Sequence, residues 1–306
     1  MAKVAVVGSF VMDFIFETPR RPLKGESIIG KSFGMAPGGK GANQAMQAAL
    51  MGAETHMIGR VGNDVFGDSI LESLSCAGVN VECVIKDSAG TGCSGVILDS
   101  EGDNSIVMVP RANMACSVSD VDAAADIIRG ADVLLLQLEI PMKVNERAVK
   151  IAKKAGVKII MDPAPACPIE DSYYKDVTIM TPNETEARIL SGLDVNDVAG
   201  AEAAAREMAA RGLRTVIITM GGNGTLLLDD GESVFLPPVK VDVKDTTAAG
   251  DAFTGSLAVF LSEGKPLAEA ARLAGTVGAL ATKKYGAQPS LPDRQALRSF
   301  LGDNLI

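Results

Sequence analysis

Short apolar runs recur along most of this 306-residue chain, and alanine-rich stretches separate most of them. Helical stretches such as residues 144–155 and 200–211 lie in these intervals. Continuous apolar strands that alternate with helices indicate a parallel sheet covered on both faces. The pattern therefore predicts an α/β fold with a doubly wound, mostly parallel sheet flanked by helices. The runs are VAVVG, VLLLQLE, VKIIMDPAPA, VTIMTPNE and TVIITMGG, near Val4, Leu134, Ile159, Ile179 and Ile217.

Two regions, at about residues 14–36 and 91–110, interrupt this alternation. They carry β-branched residues, glycine and an SEGDN turn, but little helical periodicity, which is typical of hairpins. We expect them to form a small β-sheet lid inserted into a single α/β domain that spans residues 1–306. An apolar outer face would let such a lid pair with another copy, so we expect a homodimer through the lid.

The net charge and the hydropathy of the chain argue against nucleic acid and membranes as its partners. The chain has 29 Lys and Arg residues against 38 Asp and Glu residues, a net charge of −9, and no concentrated basic segment that would indicate nucleic acid binding. It begins MAKVAVVGSF, which is typical of a strand and not of a secretory leader. No apolar run approaches the length of a membrane span. We expect a cytoplasmic protein that binds small molecules.

Several common chemistries are poorly supported. The five cysteines show no C-x-x-C pair, and His56 is the only histidine, which argues against a His-rich metal site and a Ser-His-Asp triad. Residues 25–32, GESIIGKS, satisfy the phosphate-loop pattern. A true phosphate loop follows a buried strand and opens a helix, whereas this stretch leads into FGMAPGGKG. We reject that interpretation.

Two small-residue turns open apolar helical runs. In APGGKGANQA, Gly38, Gly39 and Gly41 allow a tight backbone and place Lys40 and Asn43 at a helix N-terminus. Such a lysine, taken alone, has an ordinary explanation as a solvated side chain.

The second turn, DTTAAGDAF, presents backbone N–H groups that suit an anion. It also places Asp251 where that anion would lie, although like charges repel. Asp251 is therefore either an ordinary acidic residue in the first turn of a helix or a group with a chemical role.

Other polar residues follow predicted strands. They are Glu139, Asp162 and the segments 8–13, 183–186 and 221–224. Ligands of open α/β sheets lie beyond the carboxyl ends of the strands. We therefore expect these residues to line one rim of the sheet.

GGKGANQA, PNETEA, DTTAAGDAF and GAQPS, with the order of the elements between them, resemble the ribokinase family of the PfkB-type sugar kinase superfamily. The resemblance runs along nearly the whole chain. It implies an α/β core with a β-sheet lid that two subunits often share. The implied activity is ATP-dependent phosphorylation of a pentose, most simply at the 5-hydroxyl of D-ribose.

The resemblance also implies roles for particular residues. The backbone N–H groups of Ala248, Ala249 and Gly250 would form an anion hole for the γ-phosphate, and Asp251 would be the general base. These roles agree with the physics of phosphoryl transfer, because charge grows on the transferring group beside the nucleophile. The residues that would bind the sugar are Asp13, Gly39, Lys40, Asn43, Glu139 and Asp251.

The implied cofactors are ATP, Mg²⁺ and K⁺. Asn183 and Glu186 resemble the family's N-x-x-E element, in which Glu186 would act on magnesium indirectly, although the pair also fits a helix cap. Thr219, Gly221 and Gly224 would contact the nucleotide. Hard cations prefer oxygen ligands, and those implied for potassium are Asp245, Thr247, Ala281, Lys284, Gly286 and Ser290.

The chain departs from the family at two positions. Val11 stands two residues before Asp13, where ribokinases typically carry Asn, and valine cannot hydrogen-bond a hydroxyl. Arg111 stands where they tend to have a small residue. A 2-deoxyribose kinase and another PfkB-type sugar or nucleoside kinase therefore remain alternatives. A non-catalytic sugar sensor is disfavoured because Asp251 follows an intact AAG turn.

Overall fold

The computed structural model describes residues 1–100 and 104–302. Residues 101–103 of the expected SEGDN turn lie outside this range. The described residues form a nine-stranded sheet flanked by helices and a separate four-stranded sheet. The predicted fold class, a large mostly parallel sheet with helices and a small second sheet, is confirmed.

The strands are numbered along the chain. They are β1 (Lys3–Val7), β2 (Val11–Glu17), β3 (Ser32–Gly38), β4 (Glu54–Gly62), β5 (Val79–Asp87), β6 (Gly92–Leu98), β7 (Asn104–Val109), β8 (Val133–Leu136), β9 (Lys158–Met161), β10 (Ile179–Met180), β11 (Thr215–Thr219), β12 (Thr225–Asp229) and β13 (Glu232–Leu236). The large sheet has the order β13-β12-β11-β10-β9-β8-β1-β4-β5. Its pairs are parallel except for the antiparallel edge formed by β11, β12 and β13.

The helices include α6 and α9, which match the predicted stretches 144–155 and 200–211 to within two residues at each end. The helices are α1 (Lys40–Leu50), α2 (Val65–Cys76), α3 (Ala112–Ala115), α4 (Val118–Ala123), α5 (Ala125–Gly130), α6 (Met142–Ala155), α7 (Asp171–Asp176), α8 (Glu184–Ser191), α9 (Val198–Ala210), α10 (Ala249–Ser262), α11 (Leu267–Ala281) and α12 (Arg294–Leu301).

Two apolar cores lie on opposite faces of the large sheet. Alternate residues of β1 enter them: Val4 and Val6 belong to the core that contains α1, α2, α10 and α11, whereas Ala5 and Val7 belong to the core that contains α4 to α9. Successive side chains of a strand point to opposite faces. Burial on both faces explains why this strand reads as one continuous apolar run.

The four-stranded sheet has the order β3-β2-β6-β7. Strand β2 pairs antiparallel with β3 and parallel with β6, and β6 pairs antiparallel with β7. Strands β6 and β7 lie inside the expected insertion 91–110, whereas β2 begins at Val11 and β3 ends at Gly38, outside the expected bounds 14–36. The first hairpin therefore reaches directly into the GGKG turn.

The structure agrees with the rejection of the phosphate loop. The connection from β2 to β3 contains residues 25–31, and Ser32 begins a strand, so no helix follows the phosphate-loop pattern. All five cysteines are free thiols. Within the described ranges, none of the helices combines the length and the apolar character needed to cross a membrane.

Candidate active site

Polar residues at the ends of five neighbouring strands lie along one edge of the large sheet. Strands β11, β10, β9, β8 and β1 are consecutive and parallel. Ser9 follows β1, Glu139 follows β8, Asp162 follows β9, Asn183 follows β10, and Thr219 ends β11. The rim expected from the sequence is therefore present, because parallel strands end at the same edge.

Asp251 lies near this edge, in the first turn of α10, and is 5% exposed. The side-chain amide of Asn43 donates to its Oδ2 at 2.8 Å, and that of Gln44 donates to its Oδ1 at 3.1 Å. Both donors lie in the first turns of α1. Hydrogen bonds offset the cost of burying a carboxylate. The two small-residue turns of the sequence therefore meet at Asp251.

Gly255, one turn beyond Asp251, allows α10 to pack closely against α1. A Cβ atom at this position would lie 2.7 Å from the carbonyl oxygen of Gln44 and 2.8 Å from the Cβ of Gln47. These separations are shorter than non-bonded atoms adopt, so the close approach requires glycine. The packing brings Asp251 within hydrogen-bond distance of Asn43 and Gln44.

Asp13 lies on β2, in the small sheet, and accepts a hydrogen bond from the hydroxyl of Ser94 on the neighbouring strand β6. Burial raises the pKa of Asp13 to about 6, and the charges of Glu139 and Asp251 add to this effect, while the bond from Ser94 opposes it. The carboxylates of Asp13, Glu139 and Asp251 therefore lie near one another.

Glu139 accepts hydrogen bonds from the hydroxyl of Ser9 and from the backbone N–H of Lys40, the latter at 3.0 Å. Burial raises the pKa of Glu139, although the charge of Lys40 and both hydrogen bonds oppose this rise. Gly39 precedes α1 at a φ of 94°, which glycine adopts readily. The GGKG turn therefore holds Glu139 by its backbone.

A cleft of about 270 Å³ opens beside the N-terminus of α10. Its described lining carries one ammonium group, two carboxylates, three hydroxyl groups and one side-chain amide, which suits a ligand that is strongly charged. The lining residues are Lys40, Asp162, Thr181, Asn183, Glu186, Thr219, Gly250, Phe253 and Thr254.

A larger cavity, of about 640 Å³, lies elsewhere on the surface. Its lining includes Lys3, His56 and Asp126, near the amino-terminal ends of β1 and β4. It shares no residue with the cleft beside α10. Because ligands of parallel sheets lie at the opposite, carboxyl-terminal edge, the smaller cleft is the candidate site.

Lys40 lines the cleft together with the carboxylates of Asp162 and Glu186. Its Nζ lies 3.5 Å from Oδ2 of Asp162. Burial by itself lowers the pKa of Lys40, but the charges of Asp162, Asp251 and Glu186 outweigh that effect and raise the pKa above its ordinary value. Burial raises the pKa of Asp162, and Lys40 opposes this rise. Lys40 is therefore cationic at the mouth of the cleft.

Asn183 and Glu186 form a reciprocal cap at the start of α8. The backbone N–H of Asn183 donates to Glu186 at 2.8 Å, and the backbone N–H of Glu186 donates to Oδ1 of Asn183 at 2.9 Å. This is the capping geometry that the sequence allowed. Both residues also line the cleft, so the cap orients two polar groups towards a ligand site.

Three residues expected to contact the nucleotide lie at the end of β11. Thr219 pairs with Asn183 and lines the cleft. Gly221 and Gly224 lie in the turn between β11 and β12. Neither glycine is among the described residues that line the cleft. The structure therefore brings Thr219, but not the two glycines, to the cleft itself.

The turn before α10 has an unusual backbone. Ala248 adopts a φ of 59° and a ψ of 10°, the left-handed region that costs a non-glycine residue roughly 1–2 kcal/mol. Gly250 lines the cleft, whereas the N–H of Ala249 donates to the carbonyl oxygen of Thr246 at 3.2 Å. Strain of this kind clusters at functional turns.

Asp245 joins the two segments expected to hold a monovalent cation. Its Oδ1 accepts from the backbone N–H of Thr247 at 2.9 Å, and its Oδ2 accepts from that of Gly286 at 2.8 Å. Nearby, Lys284 donates its N–H to the carbonyl of Ala281 at 3.4 Å. The Ser290 hydroxyl donates to the carbonyl of Ala287 at 2.8 Å. The atoms available to bind a cation are oxygens, mostly backbone carbonyl oxygens, which suits an alkali cation.

Gln44 and Ser94 are site residues that the sequence did not indicate, whereas Ser9 and Asp162 were expected only on the rim. The available signal for Gln44 was its position directly after Asn43 in an otherwise alanine-rich helix. Arg111, which the sequence associated with the choice of sugar, donates to the carbonyl of Thr91 at 3.3 Å. That bond does not place Arg111 among the residues around Asp251.

Val11 is buried, with 2% of its surface exposed, yet it belongs to neither apolar core. It stands two residues before Asp13 on β2, so both side chains point to the same face of the strand. Met12, between them, packs into a core on the other face. The side chain of Val11 therefore lies on the carboxylate side of β2.

The chain matches the pfkB family carbohydrate kinase over residues 1–294. It is 37% identical over 299 residues to the ribokinase of Haemophilus influenzae, covering 97% of this chain and 98% of that protein. It is 33% identical over 303 residues to the deoxyribokinase of Salmonella typhi, covering 98% and 99%. It spans 57% of the bifunctional ribokinase/ribose-5-phosphate isomerase A of Fructilactobacillus sanfranciscensis, with 38% identity over 307 residues.

A solved structure of Arabidopsis thaliana ribokinase, complexed with ribose and ATP, superimposes with a TM-score of 0.90 at 36% identity and covers 99% of each chain. The protein thus belongs to the pfkB family of carbohydrate kinases. It is an ATP-dependent carbohydrate kinase, as the sequence resemblance implied.

Proposed function

We propose that this kinase transfers the γ-phosphate of ATP to the 5-hydroxyl of D-ribose. One observation carries the proposal: Asp251 is close enough to Asp13 and Glu139 to raise the pKa of both, and it directly follows Gly250, which lines the cleft beside α10. A sugar hydroxyl and a phosphate would meet at that point. The ribokinase relatives of plants and bacteria support ribose as the sugar.

The polar groups beside Asp251 suit a polyol. Asp13 and Glu139 are acceptors, Lys40 is a donor, and Gly39 shapes the turn that carries Lys40. Oδ1 of Asn43 is buried without a hydrogen-bond partner in the described part of the chain. A buried acceptor left unpaired is costly, so a sugar hydroxyl that donates to Asn43 would remove this cost.

The reaction assigns a proton acceptor and an anion site to the start of α10. Asp251 accepts the proton of the 5-hydroxyl as this oxygen bonds to the γ-phosphorus, and the bond from the phosphorus to the bridging oxygen of ADP breaks. The backbone N–H groups of Ala248, Ala249 and Gly250 would stabilise the charge on the transferring group. For Ala249 this requires its N–H to turn away from the carbonyl of Thr246.

ATP would place its phosphates in the cleft. Lys40 and the N-terminus of α10 supply positive potential, Asn183 and Thr219 supply polar contacts, and Gly221 and Gly224 would border the nucleoside. Oxygen donors of Asp162 and Glu186 in the same cleft fit Mg²⁺, with Glu186 acting indirectly. When bound, magnesium neutralises phosphate charge.

Potassium would bind beside the same turn. Asp245 already draws Thr247 and Gly286 to one carboxylate, and Ala281, Lys284 and Ser290 offer further oxygens near it. Such a cation would fix the backbone that leads into Ala248. Potassium binding would therefore change the activity of the enzyme.

We further propose that two copies pair through the small sheet in the cytoplasm. Strands β2, β3 and β7 expose a group of large apolar side chains, and an exposed apolar patch of this kind is typical of a protein interface. These are Phe16, Phe33, Met35, Val107 and Val109, which the strand pairing places on one face of the sheet. Light scattering of the parent and of a Val107→Asp variant would test this assembly: a monomeric parent would contradict it.

Phosphorylation of 2-deoxyribose is a second candidate activity. Val11 lies on the face of β2 that carries Asp13 and offers no polar atom, which favours a sugar that lacks a hydroxyl there. The deoxyribokinase relative is consistent with it.

An ADP-release assay over ribose, 2-deoxyribose, fructose and nucleosides, with the phosphorylated position found by NMR, tests the proposal. Ribose 5-phosphate as the preferred product supports the first candidate, and a preference for a hexose or a nucleoside contradicts both.

A further inference from the structure

A chain of buried amide side chains leads from α6 to Asp251. Asn145 donates to the backbone carbonyl of Gln137 at 2.6 Å, and Gln137 donates from Nε2 to Oε1 of Gln44 at 2.6 Å. Gln44 then donates from a single Nε2 to Asp162 at 2.8 Å and to Asp251 at 3.1 Å. All three amide residues are completely buried.

The orientation of Gln44 follows from its neighbours. Ionised carboxylates only accept hydrogen bonds, so the amide must present its NH₂ group to Asp162 and Asp251. Its carbonyl oxygen then faces Gln137, which must donate. A reversed Gln44 would place a carbonyl oxygen against two carboxylates. Gln137 therefore holds the carbonyl end of Gln44, while the two carboxylates hold its NH₂ end.

The second acceptor of Gln44 extends the network to the phosphate side. Asp162 also lies 3.5 Å from Nζ of Lys40, at the mouth of the cleft. One amide thus touches both the group proposed as the base and the carboxylate that pairs with the ammonium of Lys40. A change in its position would move both.

We propose that Gln44 is a positioning residue for phosphoryl transfer, oriented by Gln137 and acting through Asp251 and Asp162. The inference rests on the proposed role of Asp251 as the base. It predicts that loss of the Gln44 amide slows the chemical step more than it weakens substrate binding, because the contacts are made to the reacting edge and not to the sugar or the nucleotide.

Gln47 provides a matched control on the same helix. It is also completely buried and donates to the backbone carbonyl of Pro292 at 2.9 Å, and within the described ranges it makes no hydrogen bond to a carboxylate. Met replaces Gln with similar size and without polar groups. Gln44→Met and Gln47→Met therefore both remove a buried amide from α1, and only the first removes it from Asp251.

The experiment measures kcat, KM for each substrate, and thermal stability for Gln44→Met, Gln47→Met, Gln137→Met and the double variant Gln44→Met/Gln137→Met. We expect kcat to fall about tenfold or more for Gln44→Met, with each KM changed less than about threefold, and to change less than about threefold for Gln47→Met. Gln137→Met should also lower kcat, and the double variant should be no slower than Gln44→Met, because Gln137 acts through Gln44.

Equal kcat values for Gln44→Met and Gln47→Met, or independent effects that multiply in the double variant, would overturn the inference. If Gln44→Met does not fold, Gln137→Met decides: a parental kcat overturns the proposal and a reduced kcat supports it. An inactive Asp251→Asn variant beside a fully active Gln44→Met variant would leave the base assignment intact and reject the positioning role alone. An active Asp251→Asn variant would reject both.

Discussion

The side-chain amide of Asn43 donates a 2.8 Å hydrogen bond to Asp251, 208 positions further along the chain. Asn43 follows the GGKG turn and Asp251 follows the AAG turn, and each turn opens a helix of the same apolar core. The contact depends on the close packing of α10 on α1. The geometry of the site is thus a consequence of helix packing.

Replacement of Asp251 by Asn should abolish turnover and leave ATP binding nearly unchanged. The amide keeps the shape of the side chain but does not accept the hydroxyl proton, and loss of a general base lowers kcat by a hundredfold or more, on the order of general acid–base contributions. Steady-state kinetics and calorimetric titration with ATP check this. Retention of more than about half of the activity would rule out the role of Asp251.

Asp13→Asn should raise the stability of the folded protein at neutral pH. The pKa of Asp13 rises from 3.8 to about 6 on folding, chiefly by burial, so the folded state binds more protons between these values. The free energy of unfolding therefore falls as the pH rises through this window, and above about pH 6 the buried charge costs about 3 kcal/mol.

Urea unfolding of both proteins at pH 4 and at pH 7.5 measures this effect. The variant should gain stability over the parent only at the higher pH, and its sugar affinity should fall because an acceptor charge is lost. An equal difference in stability at both pH values would show that Asp13 is not the group responsible.

Gly255→Ala should destabilise the protein and lower kcat. The added Cβ would meet the backbone oxygen of Gln44, which cannot move without shifting α1, and overpacking of this kind costs roughly 1–3 kcal/mol. Gly275 on α11 is the control, since a Cβ there meets no atom within 4 Å.

Gly275→Ala should stabilise the helix by about 0.5–1 kcal/mol without altering kcat. Chemical denaturation and kinetics of the two variants decide the matter. Opposite signs of the stability change are expected, and the same sign for both would show that Gly255 is not required for close packing.

Potassium should raise the activity over a large organic cation, and Asp245→Ala should weaken that response. Asp245 accepts from Thr247 and Gly286 and so holds together the two segments that supply the oxygens. Initial rates at constant ionic strength in KCl and in tetramethylammonium chloride measure the effect. Equal rates in the two salts would remove the basis for a monovalent cation site.

The sequence predicted the parts of the fold that burial on both faces determines. Continuous runs such as that at Val4 are strands, and the residues that follow them line one edge. Gln44 and Asp162 were harder to assign, because their importance comes from a hydrogen bond between residues 118 positions apart. Nothing in the local pattern distinguishes Gln44 from Gln47, although only one of them touches Asp251.

Val11→Asn should shift the preference of the enzyme towards ribose over 2-deoxyribose. Val11 shares the face of β2 that carries Asp13 and lies outside both apolar cores, so its side chain is directed towards the sugar side. A ribose 2-hydroxyl buried against valine would lack a partner, which costs roughly 1–3 kcal/mol. A deoxy sugar avoids this cost, and the parent enzyme should therefore discriminate weakly between the two sugars or favour the deoxy sugar.

The ratio of kcat/KM for ribose and 2-deoxyribose measures the effect in the parent and in the variant. A change of about 1.4 kcal/mol in transition-state binding gives a tenfold change in this ratio. Val96, on the neighbouring strand β6, is a suitable control position: it pairs with Ile15, four residues beyond Val11 along β2, and Val96→Asn should leave the ratio unchanged. Strong ribose preference in the parent, unaltered by Val11→Asn, would mean that another group serves the 2-hydroxyl.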